Sequence, residues 1–235
     1  MATSSALPKY IQISEMLIRE ISAGQLANGA RLPPERDMAR SLDISVGTLR
    51  KALTDLENKG LLERVQGSGN YVRHKPDVSS VYSFFRLEKL GGGGLPRAQV
   101  LSVDRLPKPI AANAVGKDAE GHRIRRLRWL DETMIALEEI WLDGSFRAQL
   151  DAEDLSESLY HYYRENLGLV IGSVEDRITL ANVPKWAPKA FHLRPGQPAG
   201  YVQRVGHSTA QDAVEFSRTW FDTERACYVS RMGRG

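Results

Sequence analysis

Apolar residues in the first sixty positions recur at spacings of three and four, the period of a helix with one buried face. Tyr10, Ile13, Leu17 and Ile21 form the first such stripe and predict a helix over Pro8–Ser22, with Gly24 just past its end. Pro33-Pro34 suits the first turn of a second helix, which turns Met38 and Leu42 inward. Ser45 is a good N-cap for a third helix reaching Lys59, with Leu49, Leu53 and Leu56 on its apolar side and Gly60 closing it. Two short extended runs follow, Leu62–Gln66 and Asn70–Arg73, separated by Gly67-Ser68-Gly69.

Beyond residue 100 the texture changes. Val100–Arg105, Arg123–Leu130, Met134–Leu142, Val174–Asn182, Gly200–His207 and Val214–Phe221 read as strands, and Leu155–Asn166 and Pro184–Phe191 as helices. Short connections between them predict an α+β domain around a largely antiparallel sheet. His74–Ser80 has the composition of a connection. The expected division is a domain over 1–75, a linker over 76–81 and a second domain over 82–235. Gly91–Gly94 reads as a loop. A phosphate cradle would need a helix behind it, and Leu95-Pro96 argues against one.

Three helices followed by a glycine-broken hairpin is the order of parts in a winged helix-turn-helix, which places its second helix-turn-helix element in the DNA major groove. Charge placement agrees. The net charge is +3, and residues 1–75 carry 11 Lys+Arg against 8 Asp+Glu, while the remainder is balanced. Ser45, Gly47 and Thr48 open the third helix. There, free N–H groups attract phosphate and the missing side chain of Gly47 permits close approach. Arg50 and Lys51 follow on the polar side, and Arg50 has the fork that pairs with guanine or grips a phosphate. The sequence shows neither a membrane-length apolar run nor a basic-then-apolar leader, and its single Cys227 has no partner for an internal disulfide, so a cytoplasmic location is expected.

Tyr10-x-Gln12-Ile13, Gly24-x-Leu26, Leu32-Pro33-x-Glu35-Arg36, Thr48-Leu49-Arg50-x-Ala52-Leu53, Gly60-Leu61 and Gln66-Gly67-x-Gly69-x-Tyr71-Val72 together resemble the DNA-binding domain of GntR-family bacterial regulators. The resemblance implies that Arg36, Thr48, Arg50 and the wing glycines Gly67 and Gly69 lie at the DNA. Two positions depart from it: Pro34 stands where the family usually has serine, and Val46 where it often has arginine. The second half resembles the UTRA effector-binding domain of the HutC branch, with a chorismate-lyase-like fold. The carrying residues are Tyr82-Ser83, Ile124-x-Arg126-Leu127-Arg128, Ile135-Ala136-x-Glu138-x-x-Trp141-Leu142, Leu155-Ser156-x-Ser158-Leu159-Tyr160 and Val214-Glu215-Phe216-Ser217-Arg218. Phe221 stands where a tyrosine is common.

These residues also make chemical sense. Arg126 and Arg128, two apart on a strand, share a face, and two guanidiniums together call for an anion. Ser83, Ser158 and Tyr160 add hydroxyls, with Tyr82 beside Ser83 in the motif. Glu138 and Glu215 either meet the polar end of a ligand, opposite the arginines, or neutralise the arginines. The five histidines lack metal-ligand spacing, Ser217 is not in a nucleophile elbow, and no nucleophile–base pair stands out, so neither catalysis nor a cofactor is expected. The expectation is a cytoplasmic, homodimeric DNA-binding regulator. It is read as a repressor released from a palindromic operator by a small anionic metabolite. Two alternatives are a chorismate-lyase-like enzyme acting on a small carboxylate, and a DNA-binding protein whose second half only dimerises.

Overall fold

The computed structural model describes residues 7–75, 80–155 and 157–231. The expected linker lies mainly outside these, as does Ser156. The chain forms two compact units, one spanning Leu7–Leu95 and rejoined at Tyr228, the other Pro96–Cys227.

The N-terminal unit holds helices α1 (Lys9–Ser22), α2 (Glu35–Ser41) and α3 (Val46–Asn58), then strands β1 (Leu62–Val65) and β2 (Gly69–Val72), which pair antiparallel. The stripe of α1 meets that of α3. Ile13, Leu17, Ile21, Leu49, Leu53 and Leu56 share one core with Met38, Leu61 and Val72. Replacing a fully buried leucine such as Leu53 by alanine in such a core costs about 2–5 kcal/mol. The hairpin is wider than expected. Ala30–Leu32 runs beside β2, with Val72 N–H donating to Ala30 O at 2.9 Å, Leu32 N–H donating to Asn70 O at 2.9 Å, and Arg31 opposite Tyr71.

The stretch expected to begin the second domain belongs to this unit as far as Leu95, and the cause is polar. Arg19 of α1, only 9% exposed, donates to Gly94 O at 2.8 Å, Leu87 O at 2.7 Å and Phe85 O at 3.3 Å. The fully buried Glu15 accepts from the Ser80 hydroxyl and from Lys59. Arg231 pairs with both oxygens of Glu88, on β3 (Leu87–Lys89).

The C-terminal unit is one six-stranded antiparallel sheet. Its strands are β4 (Pro96–Pro107), β5 (Glu120–Leu130), β6 (Thr133–Asp143), β7 (Ile171–Asn182), β8 (Pro198–Ser208) and β9 (Ala213–Phe221), ordered β4-β5-β6-β9-β8-β7. All six strands read from the sequence are present. Among the described residues its single α-helix, α4, spans Leu159–Leu167, shorter than the expected Leu155–Asn166. Ser158 caps it in extended backbone, so this helix starts at Leu159. The helix expected over Pro184–Phe191 is not formed. Its residues make turns, and Trp186, Ala187 and Phe191 instead pack on Leu127, Leu137 and Trp220 of the sheet. Pro188 within the segment disfavours continued helix. A short strand, β10 (Ala226–Tyr228), ends the elements.

Candidate DNA interface and candidate effector pocket

The start of α3 is built by its cap. Ser45 Oγ accepts from Thr48 N–H at 3.0 Å and lies 2.9 Å from the Thr48 hydroxyl. A side chain at Gly47 would meet only Ser45 Oγ, at 3.7 Å, so the surface there is low and open. Arg50 and Lys51 are exposed beyond it. Arg50 Nε donates to Glu35 Oε2 at 2.7 Å, a contact made from a side chain that is 65% exposed. Arg64 of β1 donates to Thr54 Oγ1 at 2.8 Å and so ties the wing to α3. Gly67 and Gly69 both have left-handed backbone, φ 75° and 139°, at the wing turn. Arg36 is exposed on α2. All eight residues expected at DNA therefore lie on the surface of α2, α3 and the wing. The loss of a serine at Pro34 is visible too, since α2 begins with no side-chain cap.

In the C-terminal sheet the cross-strand register places a set of polar side chains on one face. Arg126 stands opposite Glu138, and the next rows across the sheet hold Ser217, Arg204 and Asp176, then Glu215 beside Gly206. Arg126 donates to Glu138 Oε2 through Nη2 at 2.6 Å and Nε at 3.1 Å, and Arg128 Nη1 lies 3.6 Å from the same oxygen. Burial alone would raise the Glu138 carboxyl, but Arg128 and Arg126 hold it below the usual range. Glu138 is thus not at an end opposite the arginines. It sits directly across the ladder from Arg126, and the neutralising role is the one it takes. Both arginines also donate to Glu157 O, at 3.4 and 3.3 Å, one residue before the Ser158 cap of α4.

A second polar group stands at Glu215. Tyr160 of α4 donates its hydroxyl to Glu215 Oε1 at 2.9 Å, so it is oriented toward Glu215 rather than toward Arg126. Tyr163 is fully buried, and its hydroxyl and Glu215 Oε2 are both buried without a hydrogen-bond partner among the described residues. Burial raises the Glu215 carboxyl above its ordinary value, against the opposing pull of the two tyrosines and of Arg204 and Arg126. The Tyr160 phenol is pushed well up by burial and by Glu215. Arg204 pairs with both oxygens of Asp176 at 2.6 Å. Sequence reading missed Arg204, Asp176 and Tyr163. The available signal was a charge at the inward phase of a strand, between Val202 and Gly206. Phe221 is buried at the end of β9, its ring over Gly200, where an added Cβ would lie 2.3 Å from it. Tyr82 and Ser83 lie in the N-terminal unit, Tyr82 buried against Phe85 and Ser83 exposed. Among the described residues no cluster of His, Cys, Asp and Glu could hold a metal.

The sequence pattern of bacterial regulatory proteins of the gntR family matches residues 9–72, and that of the UTRA domain matches 92–226. The chain belongs to the GntR family. Its pairing of the two domains is the HutC-type architecture. The HTH-type transcriptional regulator SmoD of Agrobacterium fabrum is 54% identical over 230 residues, 98% of each chain. The mannosyl-D-glycerate transport/metabolism system repressor MngR of Escherichia coli is 26% identical over 225 residues, 92% of each. Among solved structures, the transcriptional regulator YydK from Bacillus subtilis matches 97% of this chain and 100% of its own, with 26% identity and a TM-score of 0.55. This GntR-family chain is a ligand-responsive, DNA-binding transcriptional regulator rather than an enzyme. No helix among the described residues is long and apolar enough to cross a membrane.

Proposed function

We propose that this regulator is a cytoplasmic homodimeric repressor that leaves a palindromic operator when a small anionic metabolite binds its UTRA domain. The observation that carries the reading is the buried polar face of the sheet. Arg126 and Arg128 sit 4% and 2% exposed beside the capped start of α4, with Ser158 at the cap. Buried guanidiniums next to a helix N-terminus favour an anion there. Tyr160, Tyr163 and Glu215 offer hydrogen bonds for a hydroxyl-bearing remainder, and Phe221 an apolar wall. Tyr82 and Ser83 enter on the family resemblance alone. The homodimer reading is supported by β7, which forms an outer edge of the sheet and exposes Ile178 and Leu180. A long edge strand with apolar side chains is normally covered. On the DNA side, Arg36, Ser45, Gly47, Thr48, Arg50, Lys51, Gly67 and Gly69 supply the reading surface. Effector binding shifts the population of domain arrangements, which requires a ligand with unequal affinity for them.

Operator release across a panel of phosphorylated, carboxylated and sulfonated metabolites tests this, comparing wild type with Arg126→Lys. Lysine keeps a charge for Glu138 and loses the fork. The expected result is an effector that releases wild type, with a response weakened at least about tenfold in the variant and unchanged operator affinity. An effector that releases both equally would make Arg126 a purely structural partner of Glu138.

A further inference from the structure

We propose that Arg31 is a DNA-backbone contact carried on the wing, and that Gly69 is glycine partly to make room for it. Four arginines within residues 31–75 have acidic partners: Arg40 with Asp37, Arg50 with Glu35, Arg64 with Glu57 and Arg73 with Glu63. Arg31, Arg36 and Lys51 have no ion-pair partner among the described residues. Arg36 and Lys51 lie on α2 and α3, where DNA contacts are expected. Arg31 is outside every motif that pointed to DNA.

Its placement is firm. The backbone of residue 31 is held opposite Tyr71 by the hydrogen bonds on either side of it, from Val72 and Leu32. From there the guanidinium reaches back over the wing turn. A Cβ at Gly69 would lie 2.9 Å from Arg31 Nε and 3.5 Å from Nη2. Gly69 thus does two things: it adopts φ 139°, which side-chain-bearing residues rarely do, and it leaves the space in which the guanidinium lies flat on the wing. Arg31 also lines a groove of about 390 Å³ with Pro34, Glu35, Arg64, Gln66 and Asn70, between the start of α2 and the wing. That groove continues onto α3 through the Glu35–Arg50 and Arg64–Thr54 contacts. An exposed, uncompensated guanidinium on a surface that continues into the recognition helix suits a phosphate oxygen. It also returns a positive charge to a surface where Val46 stands at the opening of α3.

The test is operator binding over a series of salt concentrations. The probes are a duplex enriched from a random-sequence library on the wild-type protein, and a scrambled duplex of the same length. Arg31→Ala should lower affinity for both duplexes by a similar factor, roughly 3–10-fold, and reduce the slope of log K against log salt by about one. Arg31→Lys should keep the slope. Gly69→Ala should lose about the same slope as Arg31→Ala, and the double variant little more than either single one. Thermal melts should show Arg31→Ala folded as wild type, since the side chain is exposed. An unchanged slope and affinity in Arg31→Ala would overturn the contact. So would a loss confined to the selected duplex with no change of slope, which would indicate base reading. Fully additive losses in the double variant would overturn the role given to Gly69.

Discussion

The two units treat charge in opposite ways. On α2 and α3 of the winged unit the arginines stand in solvent. Arg40 and Arg50 are 81% and 65% exposed, and their acidic partners offset them weakly. On the Arg126 face of the UTRA sheet the charges are withdrawn from water, and Arg126 and Arg128 share the carboxylate of Glu138. The difference follows from what each must meet. A polyanion with condensed counterions is gripped by many weak, salt-sensitive contacts whose side chains can adjust. A small ligand offers few atoms, so the protein must hold its polar groups in place beforehand and shield them from water. On the proposed reading, one unit gains affinity by adding contacts at its surface, the other by arranging a few in its interior.

This contrast makes mutations in the two units separable. The largest effect should come from Glu138→Ala, which leaves Arg126 and Arg128 buried without their shared carboxylate. Loss of one partner from a buried pair costs about 3–5 kcal/mol, and denaturant unfolding should show it. A variant as stable as wild type would mean that water reaches the arginines and that the sheet's charges behave like the wing's. Next, Arg50→Ala should weaken specific operator binding by about 1–3 kcal/mol while barely moving stability, since its pair with Glu35 is exposed. Unchanged footprinting affinity would make Arg50 an ordinary solvated residue. Ser45→Ala removes the cap of α3 and should cost about 1 kcal/mol of stability. A thermal melt unmoved by that change would show the first turn held by other contacts.

The last prediction concerns a slope rather than a level. Glu215 is raised above its unfolded value by burial, so the folded state binds its proton more tightly. Stability from this group is therefore present at low pH. It declines as pH rises from about the ordinary glutamate value toward the raised one. Glu215→Gln should remove that decline, so the variant gains on wild type with increasing pH. Parallel stability–pH curves for the two proteins would show that Glu215 ionises as freely as a surface carboxylate.

How much of this was legible depended on whether neighbours in sequence or neighbours across the sheet carried the information. The α1 and α3 stripes, the Ser45 cap and the wing turn are local, and periodicity with cap and turn chemistry revealed them. The six strands were found by alternation alone. Their pairing was not. That Glu138 faces Arg126 follows from the β5–β6 register, which no single-strand pattern contains. The same limit hid Arg204, whose partner Asp176 lies a strand away on β7. Pro184–Phe191 misled because Trp186, Ala187 and Phe191 have helix-like spacing, yet they are apolar in order to cover Trp220 and Leu137 from an irregular loop. Arg31 was invisible for a different reason: its importance lies in a gap left by a residue 38 positions later, Gly69.

The buried Arg19 sets a boundary that matters to anyone dividing this protein. Its guanidinium holds the backbone at Phe85, Leu87 and Gly94, and Glu15 beside it holds Ser80. A fragment cut at residue 75, where the helices and wing end, would strip both groups of those partners and open the polar flank of α1 to water. One cut just after Leu95 would keep nearly all of them. Limited proteolysis of the intact chain should therefore release a DNA-binding piece that still carries its trailing segment as far as Leu95.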